Sequence, residues 1–250
     1  MGSGRSGTSM VAGMLAKTDY FFGNKLYQAR ESNPKGFFED PEINDINETI
    51  LSKVTLRRPP LIGNFVLRSI PTYGQRWLSR IPLNKTFDSD DVIRKRISMA
   101  VSRVPFCYKD PRFSYTLDVW RPFLQNVVFI CVFRHPAITA QSIVKEVKTA
   151  KYLRNFRISF NGALKVWMQI YLHILEKHIK EGTWFFVHYE QALHKKINKE
   201  LEKILDVKVD NSFPDPSLKR TEREYKIRNQ KITRIYKRLC QLADYKLEDI

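Results

Sequence analysis

Seven consecutive apolar residues, Val127 to Phe133, run directly into Arg134-His135-Pro136. The run has no polar alternation and is rich in β-branched and aromatic side chains, so it reads as a strand buried on both faces. Such a strand needs helices above and below it, and Pro136 is well placed at the first turn of one. Further on, Asn161–Lys180 carries Leu164, Trp167, Tyr171, Ile174, Leu175 and His178 on one stripe, closed by Gly182. Thr183–His188 reads as a second buried strand. Gln191–Leu205 reads as one amphipathic helix with Leu193, Ile197, Leu201, Ile204 and Leu205 inward. Strands alternating with helices of this length predict an α/β protein, three layers α/β/α around a central parallel sheet with right-handed crossovers. Ligands of such sheets sit beyond the carboxyl ends of the strands.

The remaining elements are shorter. Thr8–Lys17 has helical character, a helix is expected from about Pro41, and Val104–Lys109 reads as a short strand ending at Asp110-Pro111. With no repeat and no Gly/Ser linker, residues 1–250 are expected to form a single domain, with a basic helical segment over about 219–250. Between Lys219 and Arg238 nine cations face two glutamates. The whole chain carries 43 Lys+Arg against 26 Asp+Glu, a formal +17, and a field of that sign gathers anions. The three cysteines lie far apart with no metal-ligand spacing, so no metal centre is expected and a reducing compartment is. No apolar stretch approaches the roughly 20 residues that cross a bilayer. Nor does a signal peptide precede the opening glycines, so the expectation is a soluble, cytoplasmic protein.

Gly2-Ser3-Gly4-Arg5-Ser6-Gly7-Thr8-Ser9 has the spacing of a phosphate-cradling loop: Gly, four residues, Gly, then hydroxyl side chains. Glycines let backbone amides approach an anion. The nucleotide-triphosphatase version needs Lys after the second Gly, where this chain has Thr8; a cation stands inside the loop instead, at Arg5. This arrangement resembles the 5′-phosphosulfate loop of sulfotransferases that use 3′-phosphoadenosine 5′-phosphosulfate (PAPS), in the Arg form found in tyrosylprotein sulfotransferases and many bacterial members. The resemblance implies a phosphate-loop-like fold. It implies that Arg5, Ser6, Gly7, Thr8 and Ser9 hold the 5′ end of PAPS, Arg5 stabilising charge on the leaving phosphate without a metal.

The same resemblance calls for an Arg at a strand end and a Ser eight residues later, both on the 3′-phosphate. Arg134 and Ser142 stand at those positions, and Arg supplies paired donors suited to phosphate. Tyr189, in Val187-His188-Tyr189-Glu190-Gln191, matches a family tyrosine near the adenine, though a strand-end Tyr equally packs a core. Lys219 and Arg220 sit where the family places a basic loop over the 3′-phosphate. Asn33-Pro34-Lys35-Gly36-Phe37-Phe38-Glu39-Asp40 resembles a bacterial sulfotransferase segment. Glu39 is the preferred general base and Asp40 the reserve, unless either is a solvated or helix-capping carboxylate. Lys109 or Arg112 of Lys109-Asp110-Pro111-Arg112 would line the donor or acceptor site.

The expected function is therefore a sulfotransferase moving the sulfuryl group of PAPS to an acceptor hydroxyl. The positive charge leans toward a carbohydrate, such as an anionic glycan, over a tyrosine or small phenol. A phosphate-loop ATP-dependent kinase is the alternative enzyme. A basic polyanion-binding protein on a decayed nucleotide fold is the alternative without catalysis, and no specific nucleic-acid motif is present. One departure bears on competence: a phosphate loop hangs from a buried strand, and only Met1 precedes Gly2. Either the true start lies upstream or the sheet lacks a central strand.

Overall fold

The computed structural model describes residues 1–59, 63–219 and 227–246. The chain is a mixed α/β protein. In order, it forms α1 (Thr8–Met14), α2 (Pro41–Ser52), α3 (Gly63–Val66), α4 (Asp91–Val101), α5 (Phe113–Trp120), β1 (Val128–Phe133), α6 (Pro136–Thr149) and α7 (Phe160–Glu176). Then follow β2 (Thr183–His188), α8 (Tyr189–Leu193), α9 (Asn198–Leu205) and α10 (Gln230–Leu242).

The two strands pair in parallel, from Val128 opposite Thr183 to Phe133 opposite His188. A parallel pair needs a crossover, and α6 with α7 provides it. Pro136 occupies the first turn of α6, as its fixed φ favours. Ser159 caps α7, its hydroxyl accepting from Gly162 N at 3.1 Å. Gly182 turns the chain into β2 at φ 83°, where a Cβ would come within 2.6 Å of the Phe129 ring.

Alternation along β1 and β2 divides the core. Cys131, Phe133 and Phe186 pack with Trp167 and Tyr171 of α7 and Tyr236 of α10. Val132 and Val187 pack on the other face with Val11 and Ala12 of α1, Ala192 of α8 and Leu201 of α9. A third cluster joins α2, α4 and α5 through Ile46, Ile50, Ile97 and Trp120. Truncating a fully buried ring such as Trp167 to Ala costs on the order of 3–5 kcal/mol.

On the other edge of β1, Met1 N donates to Ile130 O at 2.6 Å and Val132 N donates to Met1 O at 2.9 Å. That is one rung of a parallel ladder. It sets the loop that follows beside the carboxyl end of β1. The two named strands make the whole sheet among the described residues.

Three expectations are corrected. Val104–Lys109 is not a strand: Phe21 and Phe106 form one isolated bridge, in which Phe21 N donates to Pro105 O at 2.8 Å. Pro105 has no N–H to extend it. Gln191–Leu205 is not one helix, because Lys195 takes a left-handed φ of 60° between α8 and α9. Within the basic carboxyl-terminal segment, expected to be helical from about 219, helix α10 begins at Gln230, and its Ile232, Ile235, Tyr236, Leu239 and Cys240 are buried in the main core. Among the described residues, no helix is long and apolar enough to cross a membrane.

Candidate functional site

The loop between Met1 and α1 is shaped by what presses on it. Gly2 has φ 130°, and a Cβ there would lie 2.1 Å from Val132 O. A Cβ on Gly4 would meet the Trp77 ring at 2.6 Å, and one on Gly7, at φ 92°, would meet the Tyr189 ring at 2.6 Å. Arg5 itself holds φ 70°, a conformation most side chains avoid. Tyr171 fastens the turn from below: Ser3 N donates to its hydroxyl at 3.1 Å, which donates to Val132 O at 2.8 Å.

Arg5, Gly7, Thr8, Ser9, Arg134, Ser142, Tyr189 and Glu39 all line one cavity of about 420 Å³. They come from the amino-terminal loop, the end of β1, α6, the start of α8 and the segment before α2. Arg5 Nε donates to Ser142 Oγ at 3.2 Å, and a second nitrogen donates to Ser32 O at 3.1 Å. Its third nitrogen lies 3.5 Å from Glu146, a buried carboxylate one turn beyond Ser142 on α6. Arg134 is buried at the end of β1 with its guanidinium carbon 4.1 Å from the centre of the Tyr189 ring. Burial lowers the pKa of Arg134, with Tyr189 and Glu190 opposing. Trp167 donates to the Arg134 carbonyl at 3.2 Å, which fixes the strand end.

Other candidates lie apart. Ser6 is fully buried and does not line the cavity; its hydroxyl lies 3.2 Å from that of Tyr171 and 3.4 Å from that of Thr139. It locks the loop rather than facing a ligand. Lys219 is also outside the lining, with its ammonium 3.0 Å from Glu190. Arg220 lies outside the described residues. Asp40 is the N-cap of α2, accepting from Glu42 N at 2.7 Å, the structural role weighed for it.

On the opposite wall, Glu39 accepts from Lys109 and, at 2.8 Å, from Asn44. Burial works to raise its pKa, but Lys109, Arg112 and these hydrogen bonds outweigh it and hold the carboxyl below its ordinary value. Behind it, Arg112 binds Glu48 at 2.6 Å and Asp110 at 2.9 Å, and Arg76 binds Glu48 at 2.7 Å. Burial keeps the Asp110 carboxyl above its ordinary value despite Arg112. Glu48, Arg76, Trp77 and Glu146 were not singled out from the sequence. Glu146 could have been, since it stands four residues after Ser142 and shares its helix face. Trp77 lies in a segment without periodicity and gave no signal.

Comparison with protein-family models, curated proteins and solved structures finds no match for this chain.

Proposed function

We propose that this protein is a PAPS-dependent sulfotransferase, a phosphate-loop-like domain whose sheet is sandwiched between helices. One observation carries the reading. Two candidate anion sites chosen from opposite parts of the chain, the Arg5 loop and Arg134 with Ser142, share a single cavity. Its volume of about 420 Å³ falls in the range of sites that hold small ligands. PAPS differs from ATP in carrying a 3′-phosphate, and a cavity lined by both Arg5 and Arg134 offers it two cations. The helix after the loop has only seven residues, so the loop amides and Arg5 would carry the electrostatics more than the helix would.

In the proposed reaction the acceptor oxygen attacks sulfur in line as the bond to the bridging oxygen of the 5′-phosphate breaks. The electron pair stays on that phosphate, beside Arg5. The acceptor proton passes to Glu39, which is ionised at neutral pH. A carboxylate held below its ordinary pKa is a weak base, so it takes the proton as S–O cleavage proceeds. Tyr189 would offer its ring to the adenine.

Calorimetric titration with 3′-phosphoadenosine 5′-phosphate (PAP) and with AMP tests the reading. PAP is expected to bind at least about tenfold tighter, the worth of one further charge-assisted contact. Equal affinities would remove the 3′-phosphate site.

A further inference from the structure

Six cations and four carboxylates line the cavity, a surplus of only two positive charges against +17 for the whole chain. The charge that dominates the composition therefore does not converge on the site. On the wall around Glu39 there is no surplus: Lys109 is paired with Glu39, and Arg112 with Glu48 and Asp110. Aromatic rings line the same cavity. Tyr27, Tyr73 and Trp77 line it, and Tyr73, 64% exposed, is held in place by a hydrogen bond from its hydroxyl to Asp45.

PAPS brings roughly four negative charges, about two of them on its 3′-phosphate. Once it is bound, the cavity changes from a small positive surplus to a net negative one, in a partly enclosed space where like charges repel strongly. Aromatic faces bind the flat apolar side of a ring without needing charge. We infer, resting on the sulfotransferase reading, that the group entering beside Glu39 is an uncharged, hydroxyl-bearing ring. This replaces the anionic glycan that composition favoured.

Four probes in two pairs test this: methyl glucoside against methyl glucuronide, and 4-methylphenol against 4-hydroxyphenylacetate. Each is titrated by NMR into the whole protein, with PAP saturating and without it. With PAP bound, the neutral member of at least one pair is expected to bind at least about tenfold tighter than its carboxylate. The gap should narrow when PAP is absent. Tyr73→Ala should weaken the neutral ring by about fivefold with PAP affinity unchanged; an unchanged neutral affinity removes the aromatic wall from the inference. Equal or tighter binding of the carboxylates in the presence of PAP, or no binding by any probe, overturns it. If PAP binds normally and the carboxylates win, only this inference fails. If PAP itself does not bind, the function is wrong as well.

Discussion

Arg5 Nε and Ser142 Oγ lie 3.2 Å apart, joining the amino-terminal loop to a helix 137 residues further along the chain. Because these two groups touch, a ligand that contacts one is felt by the other. Arg5→Ala is expected to lower kcat by about 100-fold, the cost of losing one preorganised donor to a developing anion. Ser142→Ala should weaken PAP binding by about tenfold. Within either readout, the double variant should cost less than the product of the two single variants' losses, because coupled sites are not additive. Additive losses measured by PAP titration and single-turnover transfer would show that the two act independently.

Glu39 gives a pH dependence with a defined sign. Its pKa lies below the ordinary 4.5, so the base form persists to low pH and kcat falls only as pH drops through that depressed value. Lys109→Met removes the strongest influence holding it down and leaves burial unopposed by that charge. The acid limb of the kcat profile should then move to higher pH. Glu39→Gln should lose turnover while keeping PAP affinity, and normal transfer by that variant would exclude Glu39 as the base.

Gly7 has no room to change. Alanine there combines φ 92° with a Cβ 2.6 Å from the Tyr189 ring. Tyr189 must shift, and with it the surface on which Arg134 rests. PAP affinity measured by calorimetry should fall by at least about tenfold, while the fold loses only about 1–3 kcal/mol from backbone strain.

Glu48 holds two arginines, Arg76 and Arg112, in a buried setting. Glu48→Gln leaves the buried Arg112 with Asp110 as its remaining counter-charge, a loss of about 3–5 kcal/mol. At roughly 2–4 °C per kcal/mol for a chain of this size, Tm should fall by about 6–20 °C in a thermal melt.

His173 is buried and its pKa is pulled down to about 4, first by burial, from an ordinary 6.5. The unfolded chain therefore binds the proton more readily than the native one between those values. Stability rises with pH across that window and is lost as pH falls from 6.5 toward 4. Melting temperatures across this range should fall with acidification, and His173→Gln should flatten the slope.

The two strands and the start of α6 were legible because Val127–Phe133 and Trp184–Val187 are unbroken apolar runs, and Pro136 marks a helix entry without ambiguity. Residues lining the cavity were legible where a glycine spacing or a strand end marked them, as at Gly7, Arg5 and Arg134. Periodicity failed at Lys195, since hydrophobic spacing continues through it while the backbone reverses sign. It also failed at Val104–Lys109, where Val104, Phe106 and Tyr108 look strand-like but Pro105 cannot donate. Ser6 looked like a ligand because its hydroxyl lies in the loop; only Tyr171, 165 residues away, reveals that it faces inward. The carboxylate Glu48 depends on Arg76 and Arg112, partners distant in sequence that no local pattern records.

Tyr236 of α10 packs edge-on against Phe133, and His188 Nε2 lies 3.2 Å from its hydroxyl. The last helix is thus a plug in the floor beneath both strand ends. Trimming the chain before Gln230 would not merely shed a charged tail. It would uncover the Phe133 and His188 rings at the two strand ends, the residues just before Arg134 and Tyr189, and the proposed PAP affinity should fall along with the stability of the fold.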